Sequence, residues 1–274
     1  LSLDSTTISL CLSLFPWASF RRAKGGVKVH VLLDHDDYMP SYVLLTEARR
    51  HDRVGARLLN LNPGSIVAMD RGYNDYQLFA DWPAAGIFFV TRLKDNADYE
   101  VVEHRRVPKN SSIRADQVIR LLGTVAEKKC RHLLRRVVLW DEANQEHIVL
   151  LTNNLAFGAT TIAAIYRDRW EIELFFKTLK QHLKVKTFVG TSENALRIQL
   201  WTALIALLLL KWLHYRSHLS WSFSNLAAML RLNLFTHRDL LAWLKEPFGP
   251  PPELEANAGQ LHLQLPGFGQ PRSV

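Results

Sequence analysis

Cysteine is scarce in this chain, with two thiols, Cys11 and Cys130, among 274 residues. That excludes a disulfide framework and suits a reducing, cytoplasmic setting. The eleven histidines are scattered without ligand spacing, so a zinc centre is not expected. No G-x-S-x-G elbow is present, which leaves a covalent serine nucleophile without support. Long apolar runs are also lacking. The longest, residues 198–210, contains Gln199 and Thr202 and is followed by Lys211. A membrane span needs roughly 20 apolar residues, so this run reads as a buried core helix and no membrane partner is expected. Neither a signal peptide nor an internal repeat is visible. Residue 1 is Leu, and a strand is already under way there, which suggests that a region upstream is missing.

What is present is enough for one sizeable core. Hydrophobic residues make up 48% and charged residues 22%, the balance of an ordered globular chain. Lys and Arg number 34 against 26 Asp and Glu, a net charge of +8. A surplus of that size favours a polyanionic partner such as nucleic acid.

Along the chain, β-branched runs predict strands at residues 1–14, 27–33, 41–46, 65–69 and 87–92, with helices at 51–61 and 74–85 between them. Pro63-Gly64 predicts a turn. Residues 96–147 are more polar and basic, with short strand-like pieces at 98–102, 116–121 and 135–140. A core-like strand follows at 148–152. One long helix is predicted over 160–183, capped by Thr160 or Thr161, then helices over 193–214 and 223–232 and a loose Pro- and Gly-rich tail. This order suits an α/β sheet covered by helices, interrupted by a β-rich insertion.

Three acids stand out. Asp4 sits within the first strand, where Asp is disfavoured. Asp70 ends an apolar strand, the place where ligands gather in open α/β sheets. Glu173 lies in the long helix, where helical spacing puts Tyr166, Arg169, Glu173, Lys177 and Lys180 in one polar stripe. Beside that stripe Ile165, Ile172, Phe175, Phe176, Leu179 and Leu183 form an apolar face. Singly, each acid also reads as a strand-end turn or a solvated helix face, with Glu173 and Lys177 as an i,i+4 pair. Together they match a different chemistry. Mg²⁺ takes oxygen ligands from a few carboxylates plus substrate phosphate, and two such ions clamp the oxygens of an in-line phosphoryl displacement. Neighbouring cations would take the DNA phosphates without reading sequence.

The helix carries Y-x2-R-x3-E-x6-K as Tyr166, Arg169, Glu173 and Lys180, with D-S-T-T at Asp4 and D-R-G-Y at Asp70. In these motifs, and in VTRLKDN, LLTNN, RWEIELFFKTLKQHL and GTSENA, the chain resembles the transposases of insertion-sequence family four. The likeness covers residues 1–213. It implies the DDE superfamily and its fold, a ribonuclease H-like mixed sheet flanked by helices, with a β-rich insertion between the second and third acids.

The resemblance further implies a division of the chain. Residues 1–95 and 148–215 would be the two parts of the catalytic core, 96–147 the insertion, and 216–274 a C-terminal helix and tail, with an N-terminal DNA-recognition region missing. Asp4, Asp70 and Glu173 would be the metal-binding catalytic acids, holding two Mg²⁺ ions for which Mn²⁺ can substitute. Tyr166, Arg169, Lys177 and Lys180 would contact DNA. The implied activity is cut-and-paste transposition: metal-dependent cleavage at the element's ends through a hairpin, then strand transfer into target DNA by a homodimer. In relatives an aromatic of the insertion stacks on a displaced base, and Trp140 is the nearest counterpart. The competing reading is a truncated, inactive copy that binds DNA or pairs with intact transposase and inhibits it.

Overall fold

The structure is a computed structural model and describes residues 1–21, 24–182, 188–217, 222–236 and 239–247. Two compact units divide at Leu209/Leu210, within a helix. The first is built on a ten-stranded mixed sheet. Its strands are β1 (Ser2–Leu10), β2 (Ser19–Arg21), β3 (Lys24–Leu33), β4 (Pro40–Glu47), β5 (Ile66–Met69), β6 (Phe88–Arg92), β7 (Tyr99–His104), β8 (Ile113–Leu121), β9 (Leu134–Asp141) and β10 (Glu146–Thr152). The order is β2-β3-β1-β5-β6-β10-β9-β8-β7, with β4 also on β3.

β1 runs antiparallel to β3 but parallel to β5, and β5 is parallel to β6. From β6 outward through β10, β9, β8 and β7 every pairing is antiparallel. The polar segment after residue 95 therefore extends the same sheet.

Helices cover both faces. On one lie α1 (Asp52–Arg57), α2 (Tyr76–Ala84) and α3 (Thr124–Lys129). They enclose a core containing Leu3, Val67, Met69, Tyr73, Phe79 and Phe89. Asp75 caps α2 by accepting from the backbone N–H groups of Gln77 and Leu78 at 2.9 and 3.4 Å. The helix stops at Gly86, whose φ of +71° suits only glycine without strain. That glycine accepts from the N–H of Gly64 (φ +89°) at 2.8 Å, and the Ser65 N–H closes the expected Pro63-Gly64 turn on the Asn62 carbonyl at 3.1 Å.

On the other face lie α4 (Ala159–Asp168), against β5 and β6, and α5 (Glu171–His182), against β1. Val90, Val137, Leu150, Ile162 and Tyr166 form the core there, with Ile66 against it. Here two expectations are corrected. The long helix is two helices, because the N–H groups of Arg169, Trp170, Ile172 and Glu173 bond three residues back. That tight turn ends α4 and restarts the chain as α5. The cap is also earlier than Thr160 or Thr161. Asn154 folds the preceding loop by accepting from the N–H groups of Ala156 and Phe157, and Gly158 is the N-cap.

The helix at 193–214 is observed as α6 (Glu193–Arg216). It is longer than the apolar run suggested, and by length and composition alone it could cross a membrane. Its expected role as a buried core helix holds for one face only. Leu196, Leu200, Leu204 and Leu207 are buried, whereas Ile198, Trp201, Ile205 and Leu209 are exposed. Just 22% of its most apolar stretch is buried.

The second unit contains α7 (Phe223–Leu232), as predicted, and α8 (Leu240–Lys245), which was not. Leu226, Trp243 and Leu244 form its core. The tail beyond residue 247 and Leu183 lie outside the described residues.

Candidate metal centre

The strand register brings the first two acids together. Leu3 pairs with Met69 across parallel strands, so Asp4 and Asp70 each stand one step beyond. Neighbouring strands are about 4.8 Å apart, and side chains alternate between faces. Leu3, Val67 and Met69 point into the α2 core. Asp4 and Asp70 therefore project from the opposite face, towards α4 and α5. The backbone of Asp70 stays extended (φ −73°, ψ 160°), which continues the alternation past the end of β5.

After Asp70 the chain makes a tight turn, in which the N–H of Tyr73 bonds the Asp70 carbonyl at 3.0 Å. The Asn74 amide then ties this turn to β6, donating to the Arg92 carbonyl at 2.8 Å. Neither carboxylate oxygen of Asp70 takes a hydrogen bond or ion pair among the described residues, so both are available to a ligand.

α5 supplies the third acid. Arg169, in the turn between α4 and α5, links Glu173 to Asp4. Its Nη1 donates to Asp4 Oδ2 at 3.2 Å and its Nη2 to Glu173 Oε1 at 3.1 Å. The guanidinium lies over the rings of Tyr166 and Trp170, at 5.6 and 5.8 Å from their centroids. Its Nε is buried without a partner among the described residues. All three acids thus share one face of the sheet, although they are remote in sequence.

The expected polar stripe is corrected in part. Tyr166 is packed in the core and Arg169 is only 6% exposed. At the turn between α4 and α5 the arginine lies inward against Asp4 while still reaching Glu173 four residues on. Lys177 is exposed and Lys180 half-buried on α5.

Burial is the main reason that the Asp4 carboxyl is pushed up to about 6. The Ser5 N–H, which donates at 2.7 Å, and the Arg169 charge oppose the shift, while the charges of Asp70 and Glu173 add to it. For an acid raised on folding, the folded chain holds the proton more tightly than the unfolded chain. Stability is then lost as pH rises from about 4 to 6, on the order of 2–3 kcal/mol. Urea unfolding in EDTA across that range should show this downward slope for the native chain. The Asp4→Asn variant should lack it, and equal slopes would refute the assignment.

The donor set fits a hard divalent cation. It offers carboxylate oxygens, one of them destabilised by burial and like charge, with an arginine supplying the neutralising charge. Among the described residues, however, no three His, Cys, Asp or Glu side chains stand close enough together to hold an ion as they are. The guanidinium of Arg169 lies between Asp4 and Glu173, and mutual repulsion favours their separation.

The sequence model of the transposase DDE domain matches residues 1–209. The chain belongs to the transposase DDE-domain family. Its fold is accordingly the ribonuclease H-like mixed sheet of DDE transposases, flanked by helices. Curated relatives agree. A probable transposase for insertion sequence element IS5377 of Geobacillus stearothermophilus is 37% identical over 77% of this chain and 55% of its own length. A putative transposase, y4zB, of Sinorhizobium fredii is 33% identical over 89% of the chain and 69% of its own. A putative transposase for element IS4SA of Synechocystis is 31% identical, with shares of 76% and 58%. The chain thus spans between about half and two thirds of the length of these relatives.

Next to the rings of Tyr166 and Trp170 that face Arg169, a groove runs between β8, β9 and α4, lined by Arg114, Trp140, Asp141, Glu142, Tyr166, Arg167 and Trp170 among others. Trp140 is held there edge-on to His147, with centroids 4.9 Å apart. Sequence reasoning missed Asp52 and Lys28, which pair at 2.9 Å on the other face of β1. No local signal marks them, because Asp52 looks like an ordinary helix-start acid.

Proposed function

We propose that this chain carries the catalytic centre of an insertion-sequence transposase of family four, cutting DNA at the element's ends and joining them to a target. The observation that carries this reading is the shared face of Asp4, Asp70 and Glu173, with Arg169 bridging two of them. Asp4, Asp70 and Glu173 would hold two Mg²⁺ ions, or Mn²⁺ in their place. When bound, such ions activate water and stabilise the charge on the attacked phosphate.

The protein's own groups do the rest. Asp70 offers two unencumbered oxygens. Arg169 neutralises Asp4 and Glu173 and would also contact a DNA phosphate. Lys177 and Lys180 take phosphates further along α5, and Tyr166 backs the arginine. The groove carrying Arg114, Arg167, Trp140 and Trp170 supplies cations and stacking faces for a displaced strand. A homodimer on paired ends, working in the cytoplasm on chromosomal DNA, completes the reading.

The test uses supercoiled plasmid DNA. The chain should nick it with Mn²⁺ and not with EDTA, and its affinity for duplex DNA should fall steeply with salt. Nicking that persists in EDTA would overturn the metal mechanism. Salt-sensitive binding without nicking in Mg²⁺ or Mn²⁺ would overturn the catalytic reading in favour of a DNA-binding inhibitor.

A further inference from the structure

A second polar assembly lies on the reverse face of β1. Asp4 and Ser5 are consecutive, so their side chains leave opposite faces of the strand. The Ser5 N–H holds Asp4 Oδ1 at 2.7 Å, while its hydroxyl donates to Asp52 Oδ1 at 2.6 Å on the other side. Asp52, in the first turn of α1, is anchored in turn by Lys28 of β3 at 2.9 Å. Lys28 also donates to the Arg50 carbonyl at 2.7 Å. The chain of contacts therefore runs from β3 through α1 to β1, and ends on the backbone that holds Asp4.

The same carboxylate also lies against the turn that follows Asp70. α1 packs on the turn after Asp70. A Cβ placed on Gly72 of that turn would lie 3.6 Å from Asp52 Oδ2 and 3.8 Å from Asp70 Oδ2. Both carboxylates therefore flank Gly72. Tyr73, next in the turn, is 1% exposed. Burial is the main reason its phenol stays protonated, and the charges of Asp4, Asp52 and Asp70 reinforce this. Burial also opposes ionisation of Asp52, but the hydrogen bonds from Ser5 and Lys28 outweigh it and hold the carboxyl below its ordinary value. Asp52 is therefore a fixed negative charge beneath the acid pair.

We propose that Asp52 is a positioning residue for the metal centre: pinned by Lys28, it holds Ser5 under Asp4 and braces the Gly72 turn under Asp70, and so sets the affinity of the acid pair for divalent cations. The proposal rests on reading Asp4 and Asp70 as metal ligands. Partners that orient first ligands usually carry ten- to a hundredfold in metal affinity.

The test is Mn²⁺ binding to the DNA-free chain, followed by the electron paramagnetic resonance signal of free Mn²⁺, with Asp70→Asn as the reference. Asp52→Asn removes the charge, whereas Ser5→Ala removes one hydroxyl and no charge and serves if the first variant does not fold. Each should weaken Mn²⁺ binding about tenfold or more, and raised Mn²⁺ should restore plasmid nicking to near the native maximum. A merely structural role would lower the melting temperature and leave the Mn²⁺ affinity of the folded protein unchanged. Native affinity in a folded variant, while Asp70→Asn has lost binding, would overturn the proposal and leave the functional reading intact. If Asp70→Asn binds Mn²⁺ like the native chain, the functional reading itself falls, and this proposal with it.

Discussion

Asp70→Asn will leave the chain folded and able to bind duplex DNA, and will reduce metal-dependent plasmid nicking by about a thousandfold or more. Asp70 makes no hydrogen bond or ion pair among the described residues, so the isosteric amide disturbs nothing around it. What it removes is an anionic oxygen donor. A metal-held transition state is stabilised by several kcal/mol, and each 1.36 kcal/mol is about a factor of ten in rate. Gln at position 173 should also suppress nicking, but with a cost in stability, because Glu173 accepts from Arg169. The comparison is made by plasmid nicking rates beside thermal melts. Native-like nicking by the Asn variant would remove Asp70 from the catalytic set.

The second large effect concerns folding. Arg135 and Asp116 are 2% and 4% exposed and form a two-pronged ion pair between β9 and β8, at 2.8 and 2.7 Å. The remaining arm of Arg135 donates to the carbonyls of Phe157 and Asn154, in the loop that starts α4. Arg135→Leu strands the Asp116 carboxylate in the core. Breaking a buried pair this way costs about 3–5 kcal/mol. For a chain of this size that corresponds to a melting temperature lower by on the order of 10 °C. Replacing both partners together, Arg135→Met with Asp116→Leu, should recover most of the loss, since no unpaired charge remains. Calorimetric melts decide it: a single variant within a degree or two of native would show that the pair carries little.

These two sites differ in how readable they are from sequence. The strands were legible because runs such as VKVHVLL and IVAM are β-branched and bounded by turns, and each became a strand of the central sheet. Asp4 and Asp70 stood out because an acid interrupts or ends such a run. Their common face then followed from register, which sequence alone does not give. Glu173 was visible through its motif spacing.

The break at Arg169–Trp170 was not visible, because apolar periodicity runs through it and neither glycine nor proline marks it. At the break the arginine pairs with Asp4 across 165 residues of chain, a contact that carries no local signal. β2, α3 and α8 were missed because three to six residues are too few to show a period. Asp52 was missed because its partners, Ser5 and Lys28, come from two other elements.

The sheet continues by unbroken hydrogen-bonded pairing from β5, which leads into Asp70, through β6, β10 and β9 to β8. Four strand spacings of about 4.8 Å amount to at most roughly 19 Å, or about six base-pair rises of roughly 3.4 Å. Strand paired to strand along that path, the sheet would serve as a molecular ruler. On the proposed function, a nucleic acid gripped by the outer strands would be held at a set reach from Asp70, and a substrate that does not match would have to bend to fit.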